Sequence, residues 1–293
     1  MTISRISGKT RLIGLLGSPV SHSRSPVMQN SVFEAMDLDF AYIAFDVAAG
    51  RGAEAIAAIR TLGLRGSNVT MPLKREVIPH LDRLTPAADL AGAVNVIVND
   101  DGVLTGHVTD GEGFMLSLDD ACVAYEGRRM VILGAGGAAI AVTIQAAFQG
   151  VAGITLFNRR DAFYGAAEDM LVRIGDKTPC DIILHDLDDH TALAEAIAQA
   201  DILINATPIG MEDSADRTAL PDLGLLRAEL TVCDLIYAPR ETHLLKEAAA
   251  RGCKTVSGIG MQLYQAVPAF RMWTGRDMDI EIARKALFSE TKT

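Results

Sequence analysis

The sequence predicts an α/β protein of two domains, and three observations lead there. Strand-like and helix-like stretches alternate along almost the whole chain. A glycine turn, Gly134-Ala135-Gly136-Gly137, joins an apolar strand to an apolar helix near the middle. The 293 residues, 49% hydrophobic and 22% charged, suffice for two packed cores under a soluble surface.

In the first half, residues 12–16 read as a strand, 26–36 as a helix and 40–47 as a strand. Residues 54–62 then read as a helix, 66–70 as a strand and 74–84 as a further helix. Residues 94–99 and 103–108 form a strand pair across the turn Asp100-Asp101-Gly102. A helix over 112–123 leads to Glu126-Gly127-Arg128, the crossing point into a second alternating series. There the strands fall at 130–133, 154–157, 182–187, 202–205, 230–235 and 254–256. The helices between them fall at 138–148, 162–174, 193–199 and 244–250. Two helices, 260–273 and 280–288, follow. Residues 130–157 carry no charge, but glycines interrupt them, so they parse as strand, turn, helix and strand of a buried parallel sheet.

The bulk properties exclude several classes. A formal net charge of −10 and the lack of any dense Lys/Arg run speak against nucleic acid and against an anionic membrane surface. The four cysteines stand singly and the six histidines lack metal-binding spacing, so neither disulfide nor metal is expected. No secretory signal is read at the N-terminus, and a cytoplasmic protein is expected, as a monomer or homodimer.

Three polar clusters punctuate the first half. In Ser21-His22-Ser23-Arg24-Ser25-Pro26, Ser25 reads as a helix N-cap with proline at the first helical position. The hydroxyls of Ser23 and Ser25 beside uncapped N–H groups also suit a carboxylate. In Asn68-Val69-Thr70-Met71-Pro72-Leu73-Lys74, the lysine falls in a helix's first turn, against the dipole. An exposed lysine tolerates that, whereas a buried one becomes a proton donor and acceptor, and the residues alone do not choose. Asp110 reads as an N-cap, and Asn95 as a polar residue in a strand.

In the second half, Gly134-Ala135-Gly136-Gly137-Ala138-Ala139 fits G-x-G-x-x-A with the correct flanks, predicting a Rossmann-type dinucleotide site. Asn158-Arg159-Arg160-Asp161 follows the second strand, where such folds meet the adenosine ribose. Arginines there favour the 2′-phosphate of NADP and an acid the free hydroxyl of NAD; both are present.

Together these segments resemble the shikimate/quinate dehydrogenase family. So do Gly92-Ala93-Val94-Asn95, Thr109-Asp110-Gly111-Glu112-Gly113, the run 205–211, Asp234-Leu235-Ile236-Tyr237, the run 258–265 and Trp273-Thr274-Gly275. The likeness is nearest to the branch accepting both quinate and shikimate. It implies a substrate-binding catalytic domain of residues 1–110 plus 266–293 and an NAD(P)-binding Rossmann domain of 111–265. It also implies a catalytic pair, Lys74 and Asp110, and substrate contacts from Ser23, Ser25, Tyr42, Thr70, Asn95 and Gln265. Cofactor contacts are implied for Gly134, Ala135, Gly136, Gly137, Ala138, Asn158, Arg159, Arg160, Asp161, Thr207, Pro208, Ile236, Tyr237 and Gly258.

The expected activity is hydride transfer between NAD or NADP and a small ring hydroxy acid. The chain departs from the family pattern at Val108, Gln262 and Pro268, while Met28-Gln29-Asn30, where many relatives carry His in place of Gln29, is part of the likeness to the quinate/shikimate branch. Proline at 268 is expected to kink or delay its helix. An amino-substituted ring acid and a ligand-sensing homologue without chemistry stand as alternatives.

Overall fold

A computed structural model of the protein describes residues 6–175 and 177–288. They form two compact units. The first takes the described residues up to Thr109 and those from Ala266 on, and the second takes Asp110–Gln265.

The first unit contains strands β1 (Arg11–Gly17), β2 (Phe40–Asp46), β3 (Gly66–Val69), β4 (Arg83–Leu84), β5 (Val96–Asp100) and β6 (Val103–His107). Helices α1 (Ser25–Ala35), α2 (Gly52–Leu62) and α3 (Pro86–Ala91) connect them. The sheet runs β2-β1-β3-β5-β6-β4. It is mixed, since β1 pairs in parallel with β2 and β3 while β5 runs antiparallel to both β3 and β6. Helix α2 buries Gly52, Ala55, Ile56 and Ile59, the spacing of one helical face, against a core with Leu16, Val69 and Ile97.

The second unit begins with helix α4 (Asp110–Asp120). Strands β7 (Arg129–Leu133), β8 (Gly153–Asn158), β9 (Asp181–Asp186), β10 (Ile202–Asn205), β11 (Thr231–Asp234) and β12 (Lys254–Ser257) follow. Helices α5 (Gly137–Phe148), α6 (Ala162–Gly175), α7 (His190–Gln199), α8 (His243–Ala250) and α9 (Gly258–Tyr264) link or close them. The sheet order β12-β11-β10-β7-β8-β9 is wholly parallel. This is the doubly wound order, with its reversal between β7 and β10, where such sheets open a binding crevice. Helices α10 (Ala266–Thr274) and α11 (Ile280–Phe288) then return to the first unit.

That return is anchored by Trp273 and Arg65. The Trp273 indole, 1% exposed, donates from Nε1 to the Ile97 carbonyl at 3.0 Å. Gly66 makes room for it, since a Cβ there would lie 2.5 Å from Nε1. Arg65 donates to the Trp273 and Met272 carbonyls at 2.9 and 2.8 Å and to Asn99 O at 2.7 Å, closing the end of α10.

Several sequence expectations need correction. Residues 74–84 are not a helix: consecutive turns lead to one 3-10 turn, Ile78–His80, and then to β4. Pro79 has no N–H, and its ring would strike the residue 75 carbonyl in an α-helix. Lys74 therefore does not face a helix dipole. Ser25 is the first residue of α1 rather than its cap; Arg24 holds the cap position and makes no side-chain cap bond. The expected single helix over 260–273 is two, parted at Gln265, because Pro268 cannot donate to the Tyr264 carbonyl four residues before it. Helix α3 was not expected, although Thr85, whose hydroxyl accepts from Ala88 N, and Pro86 mark its start.

Candidate active site

In the first unit, polar side chains that the sequence scatters over eighty residues form one relay. Asn30 fixes the start of β2, accepting from Tyr42 N at 2.9 Å and donating to Tyr42 O at 2.8 Å. The Tyr42 hydroxyl donates to Asn68 Oδ1 at 2.7 Å and is hydrogen-bonded with the Ser25 side chain. Burial drives the Tyr42 phenol far above its ordinary pKa, with the Ser25 bond working against that, so it stays a neutral donor. Asn68 in turn donates to the Asn95 carbonyl at 3.0 Å. The Asn95 side chain donates to Thr109 Oγ1 at 3.0 Å and accepts from Thr109 N at 2.8 Å. Asn95 and Thr109 are 3% and 1% exposed, so these amide bonds are made out of water, where an unmade one is costly.

The Ser23 hydroxyl oxygen accepts from Ser25 N at 3.3 Å, which leaves its O–H able to donate. Thr70 leaves β3 beside Gly17, where an added Cβ would stand 2.3 Å from the threonine methyl. The Lys74 carbonyl accepts from Val94 N at 2.8 Å, tying the 70–74 turn to the segment that holds Asn95. Lys74 itself is half-buried. The structure thus gathers Ser25, Tyr42 and Asn95 in one network and ties Lys74 beside it. Asn68 and Thr109, which the sequence reading did not select, are its interior members. Their signal was weak: polar residues at strand ends inside longer motifs.

In the second unit, Asp110 and Glu112 open α4, with Asp110 the first helical residue and not the N-cap that the sequence suggested. Gly111 and Gly113, which sequence reading treated only as signature, let α4 lie against its neighbours. A Cβ on Gly111 would meet the Ala141 carbonyl at 2.1 Å, and one on Gly113 the Gln265 N at 2.4 Å. Gln265 caps α9 and donates from Nε2 to Gln262 O at 3.1 Å.

The glycine turn leaves β7 with Gly134 at φ +104, a conformation that favours glycine, and a Cβ there would press on Ala206 O and Thr207 Cγ2 at 3.1 Å. Gly136 holds the N-cap position of α5 and offers no side-chain cap, and nothing lies within 4 Å of where a Cβ on Gly136 or Gly137 would be. Ala135 is buried behind the turn, and Ala138 lies in the helix's first turn. Open backbone at an uncapped helix start is what a pyrophosphate requires, so these residues fit a dinucleotide.

Asn158 supports this turn from beneath: its Oδ1 accepts from Ala135 N at 3.1 Å, and its amide donates to Arg159 O and Asp161 Oδ1. It is 9% exposed, so it braces the loop. Asp161 Oδ1 also accepts from Phe163 N at 2.9 Å at the start of α6. Arg160 donates to Asp186 Oδ2 at 2.9 Å, while the exposed Arg159 side chain has no polar partner among the described residues.

Across the reversal of strand order, Asn205 Oδ1 accepts from both Thr207 N and Thr207 Oγ1, at 3.0 and 2.7 Å. Its amide donates to Asp234 Oδ1 at 3.0 Å, which also accepts from Ile236 N at 3.1 Å. Thr242 donates to Asp234 Oδ2 at 2.7 Å. This buried carboxylate, absent from the sequence-based site, therefore fixes the loops of Thr207-Pro208 and Ile236-Tyr237 together. Burial raises its pKa to about 6 despite three hydrogen bonds pulling it down. Gly258 lies flat on this turn: a Cβ would sit 2.2 Å from the Leu235 carbonyl. Tyr237 is 40% exposed.

Among the described residues, no cluster of three or more His, Cys, Asp or Glu could hold a metal ion, and no helix is long and apolar enough to cross a membrane.

The family comparisons agree with this architecture. Residues 15–97 match the shikimate dehydrogenase substrate binding domain, and residues 258–288 the shikimate 5′-dehydrogenase C-terminal domain. A shikimate dehydrogenase (NADP(+)) of Listeria monocytogenes serotype 4b is 46% identical over 97% of this chain and 98% of its own. The crystal structure of Listeria monocytogenes shikimate 5-dehydrogenase with shikimate and NAD superposes with a TM-score of 0.94 at 46% identity, covering 97% and 98% of the two chains. Quinate dehydrogenase from Corynebacterium glutamicum with NAD follows at 0.87 and 32% identity, covering 96% and 99%. This chain belongs to the shikimate dehydrogenase family.

Proposed function

We propose that the protein interconverts shikimate and 3-dehydroshikimate, and quinate and 3-dehydroquinate, with NAD or NADP. What supports the substrate class is the relay Ser25–Tyr42–Asn68–Asn95–Thr109, a ready set of hydroxyl and amide partners for a polyhydroxylated acid. Ser23 and Ser25 hold the carboxylate; Thr70, Asn95 and Gln265 hold ring hydroxyls. The nicotinamide, when bound, takes or returns the hydride. Lys74 and Asp110 are the acid–base pair, with Lys74 exchanging the proton of the reacting hydroxyl.

On the nucleotide side, the 134–138 turn takes the pyrophosphate, and Thr207, Pro208, Ile236, Tyr237 and Gly258 border the nicotinamide. Arg159 is the cation for a 2′-phosphate, while Asp161 keeps one carboxylate oxygen for a free 2′-hydroxyl, so both cofactors are accepted.

The test is a panel of shikimate, quinate and an amino-substituted ring acid against NAD and NADP, following reduced nicotinamide absorbance. Turnover of shikimate or quinate is expected. Binding of these acids without turnover would reject the dehydrogenase reading in favour of a sensor.

A further inference from the structure

We propose that Asp186 determines how the protein divides between phosphorylated and unphosphorylated nucleotide, by holding the charge of Arg160. The inference rests on the nucleotide reading above. Strands β8 and β9 end side by side, with Asn158 and Asp186 partners in the parallel register. Asp186 therefore stands at the same sheet end as the 158–161 turn. Its Oδ1 accepts from Asp188 N at 3.1 Å, which orients the carboxylate. Its Oδ2 receives Arg160 Nε at 2.9 Å. The Arg160 guanidinium also lies over the Tyr164 ring, 4.9 Å from the centroid. Two contacts thus hold an arginine side chain that is otherwise 70% exposed.

The two neighbouring arginines consequently differ. Among the described residues Arg159 has no carboxylate partner, whereas Arg160 is matched by a carboxylate whose side chain is only 26% exposed. An adenosine 2′-phosphate adds nearly two negative charges. It gains Arg160 only by drawing it from Asp186, and it meets the charge of Asp186 itself. A ribose with a free 2′-hydroxyl meets neither obstacle. An exposed ion pair is a weak one, so the effect is a several-fold bias.

The full chain would be titrated calorimetrically with 2′,5′-ADP and with 5′-AMP at low salt, where surface charge is least screened. Asp186→Asn keeps an oxygen for Asp188 N and removes the charge. It should raise the affinity ratio of 2′,5′-ADP to 5′-AMP about five-fold. Arg160→Gln, which leaves Asp186 bare, should lower that ratio about three-fold, and the double variant should return to within about two-fold of the parent. An unchanged ratio in either folded single variant, or a gain that survives in the double variant, overturns the proposal. A parent protein that binds neither nucleotide overturns the nucleotide reading itself, a distinct result.

Discussion

The two units hold their candidate ligand groups by opposite means. In the first, the groups are side chains: hydroxyls and amides linked to one another in and beside the strands of a mixed sheet. In the second, they are largely backbone at the ends of a parallel sheet: Gly136 and Gly137 leave open space at the start of α5, while Gly134 and Gly258 fit where neighbouring carbonyls crowd. The first arrangement is broken by taking an atom away, the second by adding one. Conservative substitutions therefore carry different meanings in the two halves of the chain.

Subtraction should be most severe at Lys74. Lys74→Ala is expected to lower turnover by about 10²–10⁴-fold while leaving nucleotide affinity within about two-fold, read by steady-state rates and calorimetry. Unchanged turnover would end the acid–base assignment. Addition should act most strongly at Gly258. The Cβ of Gly258→Ala collides with backbone rather than with a side chain, and the expected loss is about 1–3 kcal/mol by denaturant titration, with weakened cofactor binding. Full tolerance would show that the second half is less constrained than its glycines suggest.

Asp234 is the exception that sharpens the contrast, a side chain on which the backbone-built half depends. Its folded pKa of about 6 exceeds that of an unfolded aspartate, so protonation favours the folded state. Its contribution is greatest below about pH 4 and is lost as pH rises through about 6, a swing of about 3 kcal/mol. Asp234→Asn should flatten the melting temperature over that window; an unaltered profile would mean that another group titrates there. A second subtraction is Tyr42→Phe, which leaves Asn68 Oδ1 without its donor. We expect about 1–3 kcal/mol of lost stability and a raised KM for the acid, with kcat affected less.

Much of this was legible in the sequence. The alternation gave the class, and the glycine turn gave the doubly wound half, because both depend on local chemistry with a fixed period. The resemblance supplied Lys74 and Asp110, which residue types alone left open. The break expected at Pro268 is found, whereas Pro79, an equally local signal, ends a helix that apolar spacing alone would continue. The rest of what escaped had non-local causes. Asn68, Thr109 and Asp234 gain importance only from partners 26, 14 and 29 residues distant. Asn158, expected as a ribose contact, closes β8 and also braces the glycine turn by accepting from Ala135 N, a role visible only in the fold.

The fastening of α10 by Arg65 and Trp273 bears on how the molecule comes into being. The nascent first unit lacks its indole plug until residues beyond 265 have left the ribosome, on the order of ten seconds after residue 109 is joined. In that interval the pocket beside Gly66 stands open and the N-terminal sheet, its strands already made, lacks the two helices that return to it, while the intervening unit has all its strands and can fold. A chaperone that shields uncovered sheets has its natural opportunity there, and a truncation before Trp273 should leave a nucleotide-binding half attached to an aggregation-prone one.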